Sequence, residues 1–130
     1  MRTLIAEDDL TSRLMLHGML KKYGPCDVAV SGERAVSFVQ SALESGDLYD
    51  LICLDIMMPD MDGLTALKHI RALEERDGRK GAKVLMTTAH KDKSNVLTAF
   101  REQCDGYLVK PVSKPKLLEY LQRFELVESS

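Results

Sequence analysis

Five short apolar runs, spaced by roughly twenty-five residues, place the main constraint on this 130-residue chain. They read TLIA (3–6), DVAV (27–30), LICLD (51–55), KVLMTT (83–88) and GYLVK (106–110). The runs at 3–6, 51–54 and 84–86 lack apolar–polar alternation, which suits strands covered on both faces. Between them the apolar residues recur at helical spacing. After Asp9, Leu10, Leu14 and either Met19 or Leu20 form one stripe. After Ser31 the stripe is Ala35, Val36, Val39 and Leu43, with Gly46 as C-cap; after Asp62 it is Leu64, Leu67, Ile70 and Leu73, closed by Gly78. Val96, Ala99 and Phe100 after Asp92 make a shorter, weaker helix. Leu117, Leu118, Leu121 and Phe124 make the last, after an N-cap at Ser113 and with Pro115 in its first turn. Strand and helix alternate five times, so an α/β fold with a parallel sheet covered by helices on both faces is expected.

Composition removes several classes of function. A net charge of −2 gives no basic footprint for direct nucleic-acid binding or an anionic membrane. The apolar run in MRTLIAEDD is too short for a signal peptide or membrane insertion, so a cytoplasmic protein is expected. Cys26, Cys53 and Cys104 are three, widely spaced, and suit reduced thiols better than a disulfide framework or zinc site. No linker, repeat or low-complexity stretch divides the chain, and only VESS at the end reads as frayed.

Open parallel sheets gather ligands outside the carboxyl ends of their strands. Here those ends carry Glu7-Asp8-Asp9, Asp55, Thr87-Thr88 and Lys110-Pro111. Two carboxylates about 4 Å apart repel by roughly 4 kcal/mol at an effective dielectric near 20. They therefore share protons or hold a hard divalent cation that prefers oxygen, and a site this sparse suits Mg²⁺. An aspartate beside such an ion, facing a lysine and a threonine, is equipped to accept a phosphoryl group. Asp55 would be the nucleophile, Lys110 would neutralise the equatorial oxygens, and Thr88 would hydrogen-bond one of them.

Four segments together, AEDD after the first strand, LDIMMPDMDG after the third, TTA after the fourth and YLVKP in the fifth, resemble response-regulator receiver domains of the stand-alone, CheY-like type. The resemblance covers residues 2 to 126. It implies a flavodoxin-like (βα)5 three-layer sandwich with sheet order 2-1-3-4-5, and one receiver domain over 1–130 with no output domain. By position it implies Asp55 as phosphoacceptor, Asp8 as a direct metal ligand, Glu7 as its acidic neighbour, often acting through water, and Met57 as a ligand through its backbone carbonyl. Thr88 and Lys110 match the phosphate-sensing pair, and Tyr107 matches an aromatic that swings between exposed and buried rotamers. The implied ion is Mg²⁺, with Mn²⁺ as the other candidate. The implied donor is a sensor histidine kinase or a histidine phosphotransfer protein, in a two-component phosphorelay. The implied output is a downstream protein bound on the face of the fourth helix, fifth strand and fifth helix, by a monomer or a weak phosphorylation-dependent dimer. Such a chain catalyses its own phosphorylation and dephosphorylation without being an enzyme in the ordinary sense. A cis bond before Pro111 is also implied.

Other readings compete at single residues. Asp9 reads as an N-cap more than a ligand. Thr87 and Thr88 point to opposite faces, and the T-A step favours Thr88. Tyr107 also reads as an ordinary half-buried strand aromatic. Met57, Met58 and Met61 read as loop and core, His90 as a solvated loop residue, His17 and His69 as helix-flank residues, and EERDGRKG (74–81) as a solvated helix end. A dehalogenase-type phosphatase would need a second aspartate where Met57 stands. A flavin carrier would need a phosphate loop where EDDLTS stands. A degenerate receiver that serves only for docking would lack the aspartate, threonine or lysine, and this chain has all three.

Overall fold

The computed structural model describes residues 1–89 and 98–128. In chain order its elements are β1 (Thr3–Ala6), α1 (Leu10–Leu20), β2 (Cys26–Ala29), α2 (Gly32–Ser45), β3 (Leu51–Asp55), α3 (Gly63–Asp77), β4 (Lys83–Thr88), the helical residues 98–101 (α4), β5 (Gly106–Val109) and α5 (Lys114–Arg123). A single 3-10 turn, Lys21–Tyr23, follows α1. The five strands pair in parallel in the order β2-β1-β3-β4-β5.

The non-alternating runs follow from that arrangement, because successive residues of a central strand enter different cores. Leu4, Ala6, Ile52, Leu54, Val84 and Met86 pack against Ala35, Val39, Leu67 and Ile70 of α2 and α3. Ile5, Leu51, Cys53, Leu85 and Leu108 pack against Leu16, Leu20, Leu117 and Leu121 of α1 and α5. A fully buried leucine or isoleucine contributes about 1.5–3 kcal/mol, against about 1 kcal/mol for a helix cap. The two cores therefore hold the helices on the sheet, and the caps set where each helix starts. Asp9, Ser31, Asp62 and Ser113 accept from the backbone N–H groups of Ser12, Arg34, Thr65 and Lys116 at 2.9, 3.2, 2.8 and 3.4 Å. Gly46 and Gly78 end α2 and α3 at φ +81° and +82°, where a side chain would be strained.

Three expectations need correction. The α1 stripe holds only at Leu20, which is buried as one alternative had it: Leu10 and Leu14 are 57% and 62% exposed, and Leu16 is buried in their place. The helix holds two leucine pairs at i, i+4 spacing, and periodicity alone does not say which pair meets the sheet. The stretch 74–81 is not wholly solvated. Glu74 is buried, accepts from the Ala82 N–H at 2.8 Å and pairs with Arg71. Arg71 also donates to the carbonyls of Ala82 and Gln103 and to Asp105 at 2.8, 2.9 and 2.9 Å, tying α3 to the segment before β5. Strand β2 starts and ends one residue earlier than expected, leaving Val30 exposed. The helix expected after Asp92, and His90, lie outside the described residues except at its end, where Ala99 is buried. His17 is half-buried and His69 exposed, as flank residues should be. The three cysteines are free, and Cys53 and Cys104 are buried. No helix among the described residues is long and apolar enough to cross a membrane.

Candidate functional site

The carboxyl ends of β1 and β3 are neighbours in the sheet, and that adjacency makes the site. Glu7 and Asp8 follow β1, Asp55 closes β3, and these three residues offer oxygens all within 4.8 Å of one another. Glu7 and Asp55 are buried, and Asp8 is exposed. Lys110 follows β5 and reaches across β4. Its Nζ lies 2.6 Å from Glu7 Oε1 and 3.1 Å from Asp55 Oδ2. The other Asp55 oxygen accepts from the Met57 N–H at 3.2 Å. The bond between Lys110 and Pro111 is cis.

The β3–α3 loop is folded tightly over Asp55. Gly63 donates its N–H to the Ile56 carbonyl at 2.8 Å. A Cβ on Gly63 would lie 2.0 Å from the Asp55 carbonyl oxygen, so only glycine allows this approach. Asp60 takes φ +67° at the turn of the same loop, a conformation aspartate tolerates better than most residues. Met57 is exposed at its side chain, whereas Met58 is buried and Met61 packs against the core.

Of the two threonines, Thr87 is the register partner of Asp55, and Thr88 ends the strand one residue further, paired with Val109. Both are buried. Tyr107 is 37% exposed and meets Phe100 edge-to-face, with centroids 5.9 Å apart. Asp9 is at the N-cap of α1, as its position implied, and is exposed.

Burial raises the Glu7 carboxyl from 4.5 to about 7; the Lys110 hydrogen bond opposes the rise and the Asp55 charge adds to it. Burial alone would lower the Lys110 ammonium, but its hydrogen bonds to Glu7 and Asp55 outweigh that and its pKa is raised. Both directions have one origin. A single ammonium shared between two carboxylates is held firmly, yet it offsets only part of their combined charge. The second Glu7 oxygen, Oε2, is buried and accepts no hydrogen bond among the described residues. An unpartnered carboxylate oxygen beside two further carboxylates is the donor set of a hard divalent cation. Mg²⁺ fits it through Glu7, Asp8 and Asp55.

Five expected side chains, Glu7, Asp8, Asp55, Thr88 and Lys110, therefore fall at the carboxyl ends of their strands, and Tyr107 lies further back on β5. Sequence reasoning missed the close approach of Gly63 to Asp55, although the Asp62-Gly63 pair signals a turn there. It also had no means of finding the Glu7 oxygen left over by Lys110, which depends on where a side chain from β5 arrives.

Comparison with known proteins agrees with this geometry. The family model described as the response regulator receiver domain matches residues 3–122. The chain is 31% identical to the chemotaxis protein CheY of Bacillus subtilis, over 94% of this chain and 95% of that one. It is 31% identical to the hybrid signal transduction histidine kinase L of Dictyostelium discoideum over 95% of this chain, but it spans only 7% of that kinase. Among solved structures, the receiver domain of the histidine kinase CKI1 from Arabidopsis thaliana, complexed with Mg²⁺ and BeF3⁻, is 26% identical with a TM-score of 0.82, covering 95% of this chain and 89% of that one. The parallel sheet in the order 2-1-3-4-5, the acidic edge crossed by a lysine and the family match lead to one assignment: this chain belongs to the response regulator receiver domains of two-component signalling.

Proposed function

We propose that this domain takes a phosphoryl group from a phosphohistidine onto Asp55 and thereby switches a protein-binding surface. The observation that carries this reading is the position of the Lys110 ammonium, within hydrogen-bonding distance of both Glu7 and Asp55 at the edge where Asp8 also lies. An Asp55 oxygen attacks phosphorus; the P–N bond to the donor imidazole, which is protonated on its other ring nitrogen, breaks, and the leaving nitrogen keeps the electron pair so that a neutral imidazole departs. Lys110 stabilises charge on the phosphoryl oxygens, and the Met57 N–H holds the carboxylate in a fixed orientation. Glu7, Asp8, Asp55 and the Met57 carbonyl would hold Mg²⁺, with Mn²⁺ as a substitute, and the ion when bound adds positive charge at the transferring group. Attack of water on the same phosphorus returns free Asp55. Members of this family are signalling phosphoacceptors, not free-standing enzymes.

The donor is a sensor histidine kinase or a histidine phosphotransfer protein. Supporting this are Leu10, Leu14 and Met15, exposed apolar residues of α1 next to the site, and a groove lined by Ser12, Met15, Lys110, Pro111 and Val112. Thr88 turns toward the new dianion, and Tyr107 moves inward from its place against Phe100, which alters the α4–β5–α5 face for a downstream protein. Partner choice follows only from a difference in affinity between the two states.

Acetyl phosphate with Mg²⁺ tests the reading through intact mass. One added phosphoryl group is expected on the native chain and none on Asp55→Asn. Equal labelling of both would exclude Asp55 as the acceptor.

A further inference from the structure

We infer that Thr87, beside the threonine that the family pattern selects, is a second hydroxyl of the phosphoryl site. This rests on the phosphoacceptor reading of Asp55. Thr87 is 1% exposed, and its Oγ1 is buried without a hydrogen-bond partner among the described residues. An unpartnered buried hydroxyl is destabilising, and most that persist have a reason to do so.

Its surroundings supply the reason. Val84 and Met86 enter the core under α2 and α3, and Leu85 enters the core under α1 and α5, so alternation along β4 puts Thr87 on the Leu85 side. Asp55 follows Leu51 and Cys53 onto that same side, and Thr87 is its partner in register. On the other flank Thr87 is paired with Leu108, which also faces that core and lies two residues before Lys110. To reach Asp55 on β3 and Glu7 beyond it, the Lys110 side chain must pass over β4, on the face that carries Thr87. The hydroxyl thus lies under the lysine arm and alongside the carboxylate that arm holds.

In the unphosphorylated protein Lys110 hydrogen-bonds Asp55 Oδ2 and the Met57 N–H hydrogen-bonds Oδ1, so the carboxylate has donors without Thr87. A phosphoryl group on Asp55 draws the ammonium toward its own oxygens. The Asp55 oxygen that Lys110 releases is then the acceptor for the Thr87 O–H. The hydroxyl is unpartnered in the resting state and bonded in the phosphorylated one, which favours the latter.

The test compares Thr87→Val, which keeps the shape and removes the hydroxyl, with Thr87→Ser, which keeps the hydroxyl. Thr3→Val is the control, because Thr3 Oγ1 is likewise buried and unpartnered but sits at the opposite end of the sheet. Urea midpoints and the affinity for beryllofluoride in the presence of Mg²⁺ are measured on each. Thr87→Val is expected to be at least as stable as the native chain and to bind beryllofluoride about fivefold more weakly, the worth of one hydrogen bond. Thr87→Ser is expected to bind like the native chain, and Thr3→Val to gain stability with affinity unchanged. Native affinity in Thr87→Val overturns the inference, as does an equal loss in Thr87→Ser. If the native chain itself took no beryllofluoride, the phosphoacceptor reading would fall, and with it the role of Thr87.

Discussion

Acidification should weaken metal binding by an amount set by Glu7. Its carboxyl is raised from 4.5 to about 7 because it is buried beside Asp55 with only a shared lysine to offset the charge. A divalent ion takes the ionised carboxylate and must displace any proton held there. With a value near 7, about nine-tenths of Glu7 is protonated at pH 6 and about one-tenth at pH 8, so apparent Mg²⁺ affinity should fall about tenfold between them. The same group acts on folding with the opposite sign. A folded value above the unfolded one means that its stabilising contribution is complete below pH 4.5 and lost as pH rises through about 7. For the metal-free protein that is a loss of about 3 kcal/mol, at 1.36 kcal/mol per pH unit. Calorimetry in two buffers of different ionisation enthalpy reads the proton release directly, and urea unfolding with and without Mg²⁺ reads the stability. Release of close to one proton per ion at pH 6 and almost none at pH 8 is expected. Affinity that does not change over this range would show either that Glu7 is not raised or that it is not part of the ion's site.

Arg71→Leu should cost about 3–5 kcal/mol in urea unfolding, because it leaves the buried Glu74 carboxylate without its counter-charge; a loss under about 1 kcal/mol would mean that water reaches Glu74. Gly63→Ala pushes a methyl group onto the Asp55 carbonyl, so it should lose about 1–3 kcal/mol and lower phosphorylation by acetyl phosphate, both measurable on one preparation. Leu14→Glu should leave stability within about 0.5 kcal/mol, since the side chain is exposed. The same change should slow phosphotransfer from a protein donor and leave acetyl phosphate labelling intact, as followed by radiolabel transfer.

The fold was legible because its strands are short, apolar and separated by capped helices. Asp9, Ser31, Asp62 and Ser113 each start a helix where the sequence places a cap, and Gly46 and Gly78 each stop one. The acidic edge was legible too, since the ends of parallel strands share one side of a sheet and Glu7, Asp8, Asp55 and Lys110 all stand at such ends. What escaped the sequence depends on the third dimension. Leu10 with Leu14 and Leu16 with Leu20 are equivalent as patterns, and only the placement of α1 over the sheet separates them. Glu74 sits in a charged stretch, and nothing local shows that Arg71 and the Ala82 N–H will enclose it. The choice between Thr87 and Thr88 turns on strand register, which places one beside Asp55 and the other at the strand's end.

The contact between Glu7 and Lys110 joins positions 103 residues apart. A nascent or cleaved chain ending before β5 would already own the three carboxylates yet lack the ammonium that makes their crowding tolerable. The contact can form only once β3 and β4 lie between β1 and β5, because those strands set the span that the lysine crosses. On the phosphoacceptor reading proposed above, acceptance of phosphate thus depends on β5 being in place, because only then does Lys110 stand beside Asp55.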